Sequence, residues 1–175
     1  MTIAEAFANE LVLEGATTKR VLDRVPEAHL AWQPHRKSMS LGQLALHVAT
    51  LPSTAAQFFS GDVLEFDAVP KQPRAPRSHA ELLESFASSM AQARSFLAGL
   101  SDERAAATWR LVAGERDLIA APRGGIVRSF LFNHWYHHRG QLVVYLRLLD
   151  VPVPSVYGPT ADENPFAAIE AVQPA

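Results

Sequence analysis

Apolar residues recur at spacings of three and four after Ser78, and this period constrains the fold more than any other feature of the chain. Side chains at these spacings lie on one face of an α-helix, so the pattern predicts an amphipathic helix with one buried face. Ser78 and Glu81 have the spacing of a capping box, which places the helix start at this serine. The apolar positions are Leu82, Leu83, Phe86, Met90, Ala93, Phe96, Leu97 and Leu100.

Three further segments have the same helical spacing. A first helix is predicted over residues 3–25, with Thr2 and Glu5 as its capping box. A second helix begins at the capping serine Ser40, and a fourth spans about residues 125–150. Four amphipathic helices that each need a buried face predict an all-α helix bundle.

The connections between the helices are less regular. Pro70, Pro73 and Pro76 predict an extended connection between the second and third helices. Between Ser101 and Pro122 the helical pattern weakens, and short strands or a loop would both suit this stretch. No β-branched run alternates with the helices, so a parallel sheet is not expected, and the chain is interpreted as one domain over residues 1–175.

Composition and charge narrow the possible functions. The formal net charge is −2 and no basic run is longer than Arg36-Lys37, so nucleic acid is not an expected partner. Cysteine is absent, which leaves imidazole and carboxylate as the groups that could bind a metal. Residues 1–5 lack the features of a leader, and the apolar stretch 142–149 is short and contains Arg147. We therefore expect a cytoplasmic protein without a membrane partner.

The histidines of the fourth predicted helix are the strongest candidates for chemistry. His134 and His138 are four residues apart, which puts them on one helix face with Cβ atoms roughly 5–6 Å apart. Two imidazole nitrogens can then reach one ion, whereas His137 points about a quarter-circle away. His47 flanks the inward face of the second helix, so three neutral imidazoles could form a metal site inside a bundle.

The same histidines allow other interpretations. His47 could be a core histidine bonded to a backbone carbonyl, and the histidines of the fourth helix could be solvated or form a dimer surface. His29, His35 and His79 lie in predicted loops or at a helix start, and we expect them on the surface. The chain contains neither a Gly-x-Ser-x-Gly motif nor a glycine-rich phosphate loop, so serine hydrolases and nucleotide-binding proteins are not indicated.

Several motifs together resemble the DinB-like, or damage-inducible, family, and the resemblance covers nearly the whole chain. Its most specific feature is His-x-x-x-His-Arg-Gly-Gln at residues 134–141, with a histidine upstream in the second helix. The remaining matching segments are residues 25–27, Trp32 with Pro34, residues 38–47, 145–147 and 154–159.

The resemblance implies a fold, a site and an assembly. Family members are four-helix bundles of up-down-down-up topology, commonly homodimers, in which three histidines bind a divalent metal such as zinc or nickel. Carried over to this chain, the metal ligands are His47, His134 and His138. For the homodimer, the sequence offers Phe58, Phe59 and other apolar residues that one bundle would not fully cover.

The implied activity has three alternatives. Relatives include transferases in which the metal activates a low-molecular-weight thiol such as bacillithiol or mycothiol, and a thiol-dependent isomerase. Hydrolysis by water activated on the ion is a second enzymatic possibility, and a non-catalytic metal-binding or stress-interaction protein is the alternative from another class. No catalytic residue is assigned. Four side chains near the ligands in sequence are candidates to support them: Gln43, Tyr136, Arg139 and Gln141.

Overall fold

The structure is a computed structural model that describes residues 1–70 and 74–167. It is mostly helical, with a small three-stranded sheet. The helices are α1 (Ile3–Leu22), α2 (Leu41–Ser60), α3 (His79–Ala98), α4 (Asp102–Ala106), α5 (Arg123–Ile126) and α6 (His134–Leu148). The strands are β1 (Val63–Glu65), β2 (Thr108–Ala113) and β3 (Arg116–Pro122). Of the prolines expected in the connection before α3, Pro73 lies outside the described residues.

Side-chain hydrogen bonds begin α1, α2 and α3 at the predicted threonine and serine residues. Thr2 and Ser40 each form both bonds of a capping box. Ser78 accepts from the backbone N–H of Glu81, but the Glu81 carboxylate binds the N–H of Arg77 instead of completing the box. The first helix ends at Leu22, three residues before the predicted end at residue 25, because Pro26 disfavours helical geometry in the residue before it.

The fold is not all-α, because residues 63–65, 108–113 and 116–122 form a small sheet. Strands were one of the two possibilities for residues 101–122, whereas strand β1 and its parallel pairing were not expected. Strands β2 and β3 form an antiparallel hairpin, and Gly114 turns it with a φ of 59°, which a glycine adopts without strain. Strand β1 pairs with β2 in parallel over three residue pairs. Trp109 of β2 packs edge-on against Phe59, with ring centroids 5.2 Å apart, and so attaches the sheet to the end of α2.

The predicted fourth helix begins at Arg123 and changes its hydrogen-bonding pattern along its length. A π-helical segment, Val127–Asn133, separates α5 from α6 and ends directly before His134. π-helical turns are rare and occur most often beside functional sites, because they displace the following residues around the helix axis. The irregularity therefore lies next to the candidate ligands.

Helices α2 and α6 pack against each other in opposite directions. Near the start of α2, the Tyr145 hydroxyl donates to the Met39 carbonyl at 3.3 Å. At the eighth residue of α2, the buried Trp135 indole donates to the Val48 carbonyl at 2.8 Å. This antiparallel pair is compatible with an up-down-down-up order of the four long helices, which stays a prediction.

The apolar surface differs from the one expected. Phe59 is only 2% exposed, so the expectation that one bundle would not fully cover it is wrong. Phe58 is half-buried and packs against the core, so the bundle covers it only in part. Four of the exposed apolar side chains lie on α1 and α6, at Val12, Leu13, Val144 and Leu148. No helix in the described ranges combines the length and apolarity needed to cross a bilayer.

Candidate metal-binding site

Three histidines from two helices converge in the seam between α2 and α6. The ring centroid of His47 lies 5.4 Å from that of His134 and 4.5 Å from that of His138. One nitrogen from each ring belongs to a group whose atoms all lie within 4.8 Å of one another. Within residues 1–70 and 74–167, no other group of three or more histidine, aspartate or glutamate side chains is compact enough to hold one ion.

Helical spacing and one buried tryptophan position these rings. His134 and His138 stand one turn apart at the start of α6, and their Nε2 atoms are 2.6 Å apart. Trp135 and Val48, the neighbours of His134 and His47 in sequence, are completely buried and joined by a hydrogen bond. This contact fixes the relative position of the two helices where the histidines meet. His137 is exposed and does not belong to the group, as its position on the helix predicts.

Burial, with repulsion from neighbouring histidines, keeps the three imidazoles neutral. Burial, followed by the charges of His138 and His134, lowers the pKa of His47 to about 4. Burial is also the main cause that lowers the pKa of His134 and of His138. A neutral imidazole carries a nitrogen lone pair, so at neutral pH the site presents donors suited to a transition metal.

Gln141 fixes the ring orientation of His138. Its side-chain oxygen lies 2.8 Å from Nδ1 of His138. Because a carbonyl oxygen only accepts, Nδ1 carries the proton and the lone pair is on Nε2, the nitrogen that faces His134. Of the four predicted supporting side chains, Gln141 is therefore the one that the structure describes in direct contact with a candidate ligand.

The other three predicted supporting residues have different contacts. Gln43 takes part in the capping box that begins α2, where its side-chain oxygen accepts from the Ser40 N–H at 2.9 Å. Tyr136 donates to the Glu10 carboxylate of α1. Arg139 is 1% exposed and forms an ion pair with Glu14, also on α1. Tyr136 and Arg139 thus face α1, on the opposite side of α6 from His47.

One aromatic neighbour of the site was not among the predicted site residues, and one histidine has a different position from the one predicted. Phe130 lies one turn before His134, with ring centroids 6.3 Å apart, and the spacing of four between them was the available signal. His79 is half-buried and lies 3.0 Å from the Leu22 carbonyl at the end of α1, so the expectation of a surface position is wrong. His29 and His35 are exposed, as predicted.

The sequence matches a family model described as the DinB family over residues 1–168. It is also similar to the uncharacterized protein YrdA of Bacillus subtilis, with 40% identity over 50 residues, which is 29% of each protein's length.

Two solved structures share the fold. A DinB-like protein from Bacillus cereus ATCC 10987 superposes with a TM-score of 0.67 at 24% identity, covering 87% of this chain and 97% of its own. The DinB-like protein YjoA from Bacillus subtilis superposes with a TM-score of 0.64 at 19% identity, covering 85% of this chain and 95% of its own. At these identities the likeness extends to the fold alone.

Proposed function

The chain belongs to the DinB family, and we propose that it is a metal-dependent transferase that joins a low-molecular-weight thiol to an electrophile. The proposed ligands of its single divalent ion are His47, His134 and His138. One observation carries the proposal: three neutral imidazoles converge without a charged partner in the group. Nitrogen lone pairs that face one another in this way repel unless a proton or a cation lies between them.

The donor set suits zinc or nickel, since imidazole binds both and no softer or harder ligand belongs to the described group. The fit requires one small adjustment. The Nε2 atoms of His134 and His138 are 2.6 Å apart, whereas two nitrogens on one tetrahedral ion are about 3.3 Å apart for bonds of about 2.0–2.1 Å. Rotation of half-buried rings supplies this difference without moving the helices.

Three protein ligands leave a coordination position free for a substrate, the arrangement found in catalytic rather than structural sites. A bound ion supplies a positive charge there that favours a thiolate over a thiol. In the transfer, the S–H bond breaks and an S–C bond forms, while the thiol proton goes to the leaving group or to the adjacent atom of an addition acceptor. Gln141 would hold His138 in the binding tautomer throughout.

The surroundings of the site favour transfer over hydrolysis. A positioned base beside the ion, usually a carboxylate, assists hydrolysis by taking a proton from the attacking water. Within the described residues, the three-histidine group includes no carboxylate. Glu10 and Glu14 lie on the α1 side and are paired with Arg128 and Arg139.

The test compares protein purified without an affinity tag in three states: metal-loaded, chelated, and metal-treated His134→Ala. Each is assayed with a panel of thiols and electrophiles. We expect only the loaded wild type to accelerate conjugation. Identical rates in all three, together with a cobalt spectrum typical of four protein ligands, would instead favour the non-catalytic metal-binding alternative.

We also propose a homodimer. Support comes from the exposed apolar side chains of two helices, Val12 and Leu13 on α1 and Val144 and Leu148 on α6, which are between 52% and 70% exposed. A second copy would remove this surface from water. Light scattering at tens of micromolar should give about twice the chain mass of 19.1 kDa, and the mass of one chain would contradict the proposal.

A further inference from the structure

The seam around the three histidines has two chemically different ends. The half-buried positions of α2 form one continuous face at Gln43, His47, Thr50, Thr54 and Phe58. Because α2 and α6 are antiparallel, the end with Gln43 also contains Gln141 and Tyr145, which are polar. The other end contains Thr50, Thr54 and Phe58 from α2, and Phe130 from the segment before α6.

This second end offers few hydrogen-bond donors. The Thr50 hydroxyl donates to the Leu46 carbonyl at 2.8 Å, and the Thr54 hydroxyl donates to the Thr50 carbonyl at 3.1 Å. Both hydroxyl protons are therefore used within α2 itself. A ligand that extends from the histidines in this direction meets mainly carbon atoms.

Phe130 is the most exposed side chain of this apolar end. It is 42% exposed, and its ring lies edge-on to His134, with centroids 6.3 Å apart. Phe59, which is 2% exposed, supports it from the core side at a centroid distance of 6.4 Å. Phe130 also belongs to the π-helical segment Val127–Asn133, the irregular stretch that leads into His134. The Phe130 ring thus contacts the core on one side and remains partly open to solvent beside a candidate ligand.

We propose that Phe130 is a specificity-determining residue that binds an apolar, ring-sized group next to the reacting atom of the substrate. This inference rests on the proposed function, because it places the substrate at the free coordination position beside His134. A flat ring there would cover the exposed part of Phe130, and aromatic pairs at 4.5–7 Å centroid distances attract each other beyond their hydrophobic contact. The preferred substrates are then aromatic or similarly bulky apolar compounds rather than small polar ones.

Equilibrium binding to the cobalt(II)-loaded protein tests this without relying on turnover. The two probes are benzyl mercaptan, which carries a ring, and 2-mercaptoethanol, which does not, and each is titrated while the cobalt–thiolate absorption is recorded. We expect Phe130→Ala to weaken benzyl mercaptan roughly tenfold and to leave 2-mercaptoethanol unchanged. Phe130→Leu, which keeps an apolar contact with Phe59, should weaken benzyl mercaptan about threefold.

The matched control is Phe166→Ala, which removes a phenylalanine that is 49% exposed in the C-terminal segment, and it should change neither affinity. Cobalt affinity and thermal unfolding are measured for every variant. Equal weakening of both thiols, or a loss of cobalt affinity in Phe130→Ala and Phe130→Leu, would show that Phe130 only supports His134 and would overturn the inference. Unchanged benzyl mercaptan affinity in both variants would also overturn it, while leaving the proposed function intact. A wild-type protein that binds no cobalt, or whose cobalt binds no thiol, would reject the proposed function and this inference with it.

Discussion

The two faces of α6 carry opposite kinds of polar chemistry. Towards α2, His134 and His138 meet His47, and the group contains three neutral rings and no counter-charge. Towards α1, every charge has an opposite partner. Arg139 pairs with Glu14 and also donates to the Thr18 hydroxyl, and Arg128 of the preceding segment pairs with Glu10. In sequence the residues of the two faces are interspersed, and Arg139 directly follows His138.

The α1 face of α6 is therefore a structural scaffold, whereas the α2 face is the candidate metal site. Two tyrosines complete the α1 face, since Tyr157 donates to Glu14 and Tyr136 to Glu10, and the Arg139 guanidinium lies over both rings. In the part of the chain that the structure describes, no buried side-chain nitrogen or oxygen lacks a hydrogen-bond partner. A network satisfied in this way holds helices together but has no capacity for a ligand, whereas converging lone pairs gain most from an added cation.

The largest effects are expected on the α2 face. Single replacements of His47, His134 or His138 by alanine should lower metal affinity roughly a thousandfold or more, because two imidazoles rarely retain an ion against a chelator. His137→Ala is the matched control, being adjacent in sequence and exposed, and it should keep wild-type affinity. Metal analysis after dialysis against a weak chelator measures how much metal the three ligand variants and the control retain. Equal metal content in all four variants would remove the distinction between the two faces.

On the α1 face we expect the largest loss of stability. Arg139→Met should lower the free energy of unfolding by about 3 kcal/mol, because it leaves the Glu14 carboxylate, 16% exposed, without its guanidinium partner. Urea unfolding followed by circular dichroism measures this change. Lys19→Met, which breaks an exposed pair with Asp23 on α1, should cost less than about 1 kcal/mol. Equal stability of the two variants would mean that the α1 network is not the scaffold inferred here.

Gln141 orients the ring of the candidate ligand His138, so replacing it tests how much this contact contributes to metal binding on the α2 face. Gln141→Ala should weaken metal binding roughly tenfold, since Nδ1 of His138 loses the acceptor that fixes its tautomer. Gln141→Glu keeps an acceptor at this position and should restore most of the affinity. The exposed Gln57 of α2 provides the control Gln57→Ala, for which no change is expected. Competition with a fluorescent chelator gives the affinities, and an unaltered value in Gln141→Ala would show that ring packing alone orients His138.

The smallest effect is a pH dependence of stability on the α1 face. The hydrogen bond from Arg128 is the main cause that lowers the pKa of Glu10, and Tyr136 adds to it. The pair therefore stabilises the folded protein fully above about pH 4.5, the ordinary glutamate pKa. This stabilisation is lost as the pH falls through the lower pKa of the folded state. Because Arg128 is 40% exposed, we expect about 1 kcal/mol or less. Urea unfolding of Glu10→Gln and wild type should differ at pH 7 and converge in acid, as the pH falls through the lowered pKa of Glu10 in the folded state. A difference that stays constant from pH 7 into acid would exclude this cause.

Local patterns predicted the helices well and the irregular parts poorly. The capping residues Thr2, Ser40 and Ser78 begin helices as expected, because a cap involves only a few neighbouring residues. The hairpin of β2 and β3 was left open as strands or loop. Its parallel partner β1 was not predicted, because the pairing of residue 63 with residue 110 depends on where the end of α2 places the following residues in the folded protein. The π-helical segment has no period of its own in the sequence.

The sequence by itself determined that His134 and His138 share a helix face, since a spacing of four residues fixes this whatever the helix packs against. Only the tertiary structure decided that His47 completes the group, because its approach depends on the contact between Trp135 and Val48, residues 87 positions apart. The same holds for Arg139, adjacent to His138 in the motif and predicted to support the ligands. Folding brings Glu14, 125 residues earlier in the chain, into contact with Arg139. Arg139 therefore stabilises the packing of α6 on α1, on the opposite side of α6 from His47.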